Sequence, residues 1–98
     1  MILNKRQIRQ LKGLAQTCKI KYQLGKNEIS DTLLDLLDKG IEKHELIKVD
    51  VMQSVTTSKD ELASTIANAS NAEIVTIIGG VIVLYRKNLK HPTIKLVD

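Results

Sequence analysis

Three stretches of the chain repeat apolar residues at helical spacing. In residues 4–18, at about 100° per residue, one face collects Ile8, Leu11, Leu14, Ala15 and Cys18. A second stripe, in residues 29–43, contains Leu33, Leu34, Leu37 and Ile41. A third helix begins near Ser58, and Glu61 three residues later completes the sequence pattern of a capping box. Asn4 is a candidate N-cap for the first helix, and Ser30 or Asn27 for the second. The pattern predicts three amphipathic helices.

Four shorter stretches have the pattern of strands. Residues 19–24 and 45–51 alternate polar and apolar side chains. Residues 74–78 and 81–85 are continuous aliphatic runs, typical of buried strands, and Gly79-Gly80 between them predicts a two-residue hairpin turn of the primed type. The tail, residues 87–98, contains the only proline and is either an ordered loop with an edge strand over 93–96 or a loosely ordered segment.

The order of these elements is α-β-α-β-α-β-β. Strands separated by helices favour parallel crossovers, whereas the final hairpin is antiparallel. The fold class is therefore α/β, of the two-layer α+β kind, with a mixed four-stranded sheet. Ninety-eight residues are too few for two packed cores, so we expect a single domain over residues 1–98.

Composition narrows the protein class. Hydrophobic residues make up 43% of the chain and aromatic residues 2%, so the core is built from Leu, Ile, Val and Ala. A single cysteine excludes an internal disulfide and suits a reducing, cytoplasmic location. No apolar run approaches the ~18 residues of a membrane helix, and the first residues lack the order of a signal peptide, so no membrane partner is expected.

Charge is distributed unevenly along the chain. Residues 1–27 contain seven cations and no acid, whereas residues 28–61 contain nine acids and four cations. In the first helix Lys5, Arg9, Lys12 and Gln16 lie opposite the apolar stripe, with Arg6 at its flank. We expect Lys5, Arg9 and Lys12 to form one positive patch, joined by Lys26 and by Lys19 or Lys21. Such a patch suits phosphates or an acidic partner.

Gly13 is unusual in the middle of this helix. A glycine there weakens a helix by roughly 1 kcal/mol relative to alanine. Either close packing within the fold requires it, or another molecule approaches the helix at that position.

Patterns of catalysis and metal binding are absent from the sequence. Cys18 lies on an apolar stripe and is assigned to the core, while His44 and His91 have no second ligand at metal spacing. The acids of the second helix (Asp31, Asp35, Asp38 and Glu42) form a regular stripe typical of a solvated face. No nucleotide-binding fingerprint occurs. We therefore expect no enzyme activity, no cofactor, no metal and no small-molecule substrate.

One turn has the chemistry of an anion site. Gly25, Lys26 and Asn27 connect the first strand to the second helix. Glycine permits close approach of backbone to a ligand, N–H groups at a helix start attract anions, and a lysine adds charge.

Four segments together resemble the CRM domain family (chloroplast RNA splicing and ribosome maturation), in its bacterial single-domain, YhbY-like form. The segments are residues 11–15 (LKGLA), 24–27 (LGKN), 44–49 (HELIKV) and 78–79 (IG) followed by 83–86 (VLYR). The resemblance implies an RNA-binding domain similar to the C-terminal domain of a bacterial translation initiation factor and related to KH domains. It also implies association with precursors of the large ribosomal subunit.

The family's Gly-x-x-Gly loop falls on residues 25–28, and here the last position is Glu28. In KH domains this loop clamps the nucleic-acid backbone, so the resemblance assigns RNA binding to Gly25, Lys26 and Asn27, but not to Glu28. The charge pattern adds the cations of the first 21 residues: Lys5, Arg6, Arg9, Lys12, Lys19 and Lys21. Only Tyr22 and Tyr85 could supply stacking rings, and Tyr85 is expected in the core, so recognition of RNA backbone and shape is favoured over base reading.

Two functions remain open at this point. The first is a monomeric RNA-binding protein of ribosome assembly that binds ribosomal RNA in large-subunit precursors. The second is a small adaptor whose basic face docks an acidic protein partner.

Overall fold

The computed structural model describes residues 3–25 and 29–98. Its elements are, in chain order, α1 (Lys5–Thr17), β1 (Lys21–Leu24), α2 (Asp31–His44), β2 (Leu46–Val51), α3 (Lys59–Ser70), β3 (Glu73–Ile78) and β4 (Val81–Tyr85). This order confirms the predicted α-β-α-β-α-β-β chain. The first strand begins at Lys21 rather than at Lys19.

Side-chain caps fix the starts of two helices. The Asn4 side chain accepts a hydrogen bond from the Gln7 backbone N–H (2.8 Å), and the Gln7 side chain accepts one from the Asn4 N–H (3.0 Å). Ser30 caps α2 by accepting from the Leu33 N–H (3.1 Å). The capping box predicted at Ser58 is wrong, because Ser58 is the N-cap of α3 but its side chain makes no cap hydrogen bond. Carboxylates in the first turn of α3 complement its dipole instead.

The sheet has the order β1-β2-β4-β3. β1 and β2 run parallel, and the other neighbours are antiparallel, so the predicted mixed four-stranded sheet is confirmed. Gly79 in the hairpin has a φ of +59°, which fits the first central residue of a type II′ turn and agrees with the predicted primed turn.

The central strands carry apolar side chains on both faces. Ile47, Val49 and Leu84 join the larger core cluster with α2 and α3, whereas Val83 and Tyr85 join a smaller cluster with α1. Two layers were expected, but helices cover both sides of the sheet and give three. The division of the core between the two faces of the sheet matters for function. Among the described residues, α1 is the only helix on its face of the sheet.

β3 is less buried than its sequence predicts. Only Val75 in its middle is buried, while Ile74 is 36% and Ile78 59% exposed. β3 lies at an edge of the sheet, so its aliphatic run is covered only where helices cross it.

Glu45 joins α2 to β2 and has its side chain completely buried. It was predicted as the first residue of a strand, but it caps the C-terminus of α2 with a φ of +66°. Its carboxylate accepts hydrogen bonds from the backbone N–H groups of Asn88 (2.9 Å), Thr93 (2.6 Å) and Ile94 (2.7 Å), and from the Thr93 hydroxyl (2.7 Å). One buried acid therefore organises the tail.

The tail lies against α1 and forms an irregular loop, with no edge strand over residues 93–96. Ile94 and Leu96 pack on the smaller core cluster. The Gln7 amide donates to the Val97 carbonyl (2.9 Å), and Gln10 bonds both the Lys95 carbonyl (2.8 Å) and the Val97 N–H (2.9 Å). The tail thus occupies one flank of α1 and leaves the other flank to solvent.

Candidate functional site

The exposed side of α1 forms a basic surface. Leu11 and Ala15 are buried against the sheet, which turns the opposite face of the helix outward. A shallow groove runs along that face, and we call it the α1 groove; it is lined by Lys5, Ile8, Arg9, Lys12, Gly13 and Gln16. The sequence predicted that the three cations point outward together, and the structure places them so.

Arg6 does not join this surface. It lies on the tail-facing flank of α1, where it lines a separate groove with residues 95–98. Adjacent helical positions differ by about 100°, which is enough to separate Arg6 from Lys5. The predicted cations of α1 are therefore divided between two surfaces.

A second groove lies between α1 and the hairpin end of the sheet, and we call it the sheet groove. It shares Lys12 and Gln16 with the α1 groove and adds Lys48, Thr76, Ile78 and Val81. Sequence reasoning missed Lys48 as a site residue. Because Lys48 alternates with Ile47 and Val49 along β2, the sequence predicts that it faces away from the larger core. The sequence does not show that α1 leaves this part of the opposite sheet face uncovered.

Lys21 contributes less positive charge to the surface than the sequence indicates. The Lys21 Nζ lies 3.6 Å from the Asp50 Oδ2, and both side chains are partly exposed. Such a pair has little effect on stability, but it offsets one positive charge locally. Lys21 is the register partner of Lys48, so it lies at the border of the sheet groove. Lys19 is exposed in the link between α1 and β1.

Gly25 marks the start of the predicted anion-binding turn. It follows β1 directly, and a Cβ placed on it would lie 3.3 Å from the Met52 Sδ. The Met52 N–H donates to the Leu24 carbonyl (2.9 Å), and the Val51 N–H donates to the Gly80 carbonyl (2.7 Å). Gly25 and the β3–β4 turn therefore lie at the same end of the sheet. Lys26, Asn27 and Glu28 lie outside the described residues, so their part in the patch stays a prediction.

Gly13 has no packing reason to be glycine. A Cβ placed on it would have nothing within 4 Å among the described residues. Of the two explanations the sequence left open, close packing within this part of the fold does not apply. The unoccupied space lies in the α1 groove, next to Lys12 and one turn beyond Arg9.

The two tyrosines lie away from both grooves. Tyr85 is completely buried, as expected, and its hydroxyl has no hydrogen-bond partner among the described residues. Burial, with a smaller contribution from the Glu45 carboxylate, raises the pKa of Tyr85. Tyr22 packs on the larger core cluster, on the α2 side of the sheet. Neither ring is placed to stack on a ligand in the grooves.

Arg86 is a structural cation. Its guanidinium donates to the Asp38 carboxylate (2.7 Å), the Glu42 carboxylate (3.0 Å) and the Ser70 carbonyl (2.6 Å). The side chain is only 18% exposed. The acidic stripe of α2, predicted as a solvated face, is exposed but also ties α2 to α3 and β4 through this arginine.

The described residues contain no group of three or more His, Cys, Asp or Glu side chains that could hold a metal ion. Cys18 is half-buried, and its Sγ lies 3.5 Å from the Leu46 carbonyl oxygen, a structural contact. None of the described helices has the length and apolar character of a membrane span.

Comparison with known proteins gives consistent matches. The chain matches the family model described as the CRS1 / YhbY (CRM) domain over residues 3–86. A Bacillus subtilis (strain 168) protein named "Probable RNA-binding protein YqeI" is 30% identical over 95 residues, which cover 97% of this chain and 99% of that protein. A Haemophilus influenzae protein named "RNA-binding protein" is 33% identical over 84 residues, covering 86% of this chain and 85% of the relative.

The fold also has a solved counterpart. The solution structure of a hypothetical Staphylococcus aureus protein, described as a candidate RNA-binding protein, superposes with a TM-score of 0.82 at 36% identity. The match covers 98% of this chain and all of that one.

Proposed function

Because the chain belongs to the CRS1 / YhbY (CRM) domain family, we propose that it is a non-catalytic RNA-binding protein whose binding surface is centred on the α1 groove. The names of its relatives support RNA as the ligand. The open face of α1 that gathers Lys5, Arg9 and Lys12 supports this location.

Gly13 is the observation that carries the location. A glycine in mid-helix lowers stability, and here no neighbour among the described residues requires it. It lies in the α1 groove next to Lys12 and one turn beyond Arg9, where a phosphate backbone gains from close contact with the helix surface. A polyanion that approaches α1 at this position explains both the glycine and the cations.

The mode of binding is recognition of backbone and shape. Phosphate contacts from lysine and arginine position a protein on nucleic acid without reading its sequence. Neither tyrosine ring faces the grooves, and the α1 groove presents three cations. Binding of this kind weakens steeply with salt, with a slope in log affinity of about −0.7 to −0.9 per phosphate contact.

We infer further that the RNA is ribosomal and that the protein acts, as a cytoplasmic monomer, on precursors of the large ribosomal subunit. This inference rests on the family resemblance of residues 11–15, 24–27, 44–49 and 83–86. The alternative is an adaptor that docks an acidic protein through the same cations.

One experiment separates the two functions. A lysate is fractionated on a sucrose gradient with and without ribonuclease, and the protein is followed by immunoblot. We expect it to sediment with large-subunit precursors and to move to the top of the gradient after ribonuclease. Persistence in a large, ribonuclease-resistant complex would overturn RNA binding in favour of the adaptor. Crosslinking and sequencing of the bound RNA then tests the ribosomal assignment separately.

A further inference from the structure

The sheet groove has an apolar floor that the fold leaves open. α1 covers the sheet at Ala15, which is buried with Val83. Beyond this point the floor continues through the half-buried Val81 to Ile78, whose side chain is 59% exposed. The groove encloses about 250 Å³. An exposed apolar surface rimmed by polar side chains is a mark of an interaction site.

Strand register defines the arrangement of the floor. Lys48 pairs with Val83, and Val83 pairs with Thr76, so a lysine, a valine and a threonine lie side by side across three strands. The neighbouring row toward the hairpin is Asp50, Val81 and Ile78. The Asp50 carboxylate is engaged by Lys21. The apolar floor therefore has a cation at one side and a hydroxyl at the other.

α1 supplies the wall of the groove. Lys12 and Gln16, one turn apart on the helix, both line it. Gln16 carries an amide that donates and accepts hydrogen bonds, and Lys12 carries a charge shared with the α1 groove. Two lysines, one amide and one hydroxyl thus surround a surface of branched aliphatic side chains.

We propose that the sheet groove holds one unpaired base of the bound RNA, an inference that rests on the proposed function. The flat face of the base lies on Ile78 and Val81, as bases extruded from a stack lie on aromatic or apolar side chains. Gln16 and Thr76 lie within the groove to bond its edge. Lys12 and Lys48 neutralise the phosphates on either side.

Charge complementarity favours this occupant over an apolar peptide. An apolar peptide gains nothing from two flanking lysines, whereas a nucleotide joins an apolar face to a phosphate. The site also has direct continuity with the α1 groove through Lys12. An RNA strand bound along α1 therefore has one of its bases beside the apolar floor of the sheet groove.

The test compares two RNA probes of equal length and charge. The first is a single-stranded RNA of mixed sequence, and the second has the same backbone with abasic sites. Wild-type protein is expected to bind the first about fivefold more tightly, at the lower end of what stacking of one base contributes. Ile78→Thr keeps the β-branched shape but removes apolar surface, and it should abolish most of this preference.

Ile74→Thr is the matched control. It is the same substitution in the same strand, at an exposed residue that pairs with Leu84 of the larger core face. We expect it to leave the base preference unchanged. Both variants should retain the wild-type salt slope, because neither removes a charge. Circular dichroism melting confirms that each variant is folded.

The outcomes separate this inference from the proposed function. If the wild-type protein binds both probes equally, or if Ile78→Thr retains the preference, the base site is wrong although RNA binding stands. If neither probe binds at low salt, the proposed function itself fails.

Discussion

The ring of Tyr22 occupies the space that a side chain at residue 40 would need. A Cβ placed on Gly40 would overlap the Tyr22 hydroxyl oxygen and lie 2.9 Å from Cζ of the ring. Gly40 is buried in α2, and Tyr22 comes from β1. The contact sets how closely the second helix approaches the parallel edge of the sheet.

Gly40→Ala should therefore destabilise the protein. Overpacking lowers the free energy of unfolding by about 1–3 kcal/mol, and the better helix propensity of alanine raises it by about 1 kcal/mol. We expect a net loss of up to about 2 kcal/mol in the free energy of unfolding, measured by urea denaturation. Adding Tyr22→Phe, which removes the overlapping oxygen, should make the Gly40→Ala change less costly than it is in the wild-type background. Equal costs in both backgrounds would contradict the contact.

Gly13→Ala should have effects of opposite sign on stability and on binding. With nothing near the new Cβ, helix propensity should raise the free energy of unfolding by about 0.5–1 kcal/mol. The added methyl group lies in the α1 groove beside Lys12 and should weaken RNA binding severalfold. Ser64→Ala, at an exposed position of α3, is the control that raises helix propensity away from the groove. Unchanged affinity in Gly13→Ala would remove the argument that RNA approaches at this residue.

Arg9→Ala combined with Lys12→Ala should weaken RNA binding strongly. The pair removes two cations from the α1 groove, so the salt slope should fall by about two phosphate contacts, each about 0.7–0.9. Lys39→Ala with Lys43→Ala removes the same charge from exposed positions of α2 and should change affinity little. Fluorescence anisotropy over a salt series measures both quantities. Equal losses from the two double variants would mean that net charge, not the groove, governs binding.

The turn that begins at Gly25 allows a separate test through Glu28. If the turn touches phosphate, Glu28→Gly should strengthen RNA binding, because it removes a repulsive charge and permits closer backbone approach. Lys26→Ala should weaken binding and lower the salt slope by about one contact. If α1 dominates instead, Glu28→Gly leaves affinity nearly unchanged. We expect a shared site in which α1 contributes more, and stability is measured in parallel for each variant.

Tail attachment should depend on pH through Glu45. Burial raises the pKa of its carboxyl, but the hydrogen bonds from Asn88, Thr93 and Ile94 outweigh burial and lower the pKa below its ordinary value. A group with a lowered folded-state pKa stabilises the structure above its unfolded pKa and loses that effect as pH falls through the folded value. The amides of Asn88, Thr93 and Ile94 should therefore lose hydrogen-exchange protection as pH falls below about 4.

Glu45→Gln provides the matched comparison. It keeps one acceptor oxygen but removes the charge, so the tail amides should be less protected at neutral pH and should show no further loss on acidification. A wild-type tail whose protection does not change between neutral pH and the onset of global unfolding would show that the carboxylate is not the anchor.

The order of elements was predictable because each helix and strand carries its own period. The outward direction of Lys5, Arg9 and Lys12 followed from the apolar stripe that contains Leu11 and Ala15. Glu45 and Lys48 were not predictable in the same way. The partners of Glu45 are separated from it by more than 40 residues in sequence, and the exposure of Lys48 depends on where a single helix crosses the sheet.

Gly40 and Arg86 show the same limit. Nothing in the local sequence of α2 distinguishes a glycine that accommodates a tyrosine ring from one that is merely tolerated. Arg86 has the sequence context of a basic strand end, yet its three partners come from α2 and α3. In each of these cases a contact between distant segments decides the role of a residue whose own neighbours in sequence are uninformative.

The attachment of the tail to Glu45 means that the segment that defines the family is shorter than the segment that packs together in the fold. Residues 3–86 carry the family pattern, but a chain ending there would leave a carboxylate inside the protein without the donors supplied by Asn88, Thr93 and Ile94. It would also uncover the flank of α1 that Gln7 and Gln10 hold against the last residues. The helix that presents the proposed binding surface is thus braced by residues 94–97, and the position of its cations depends on contacts outside the family pattern.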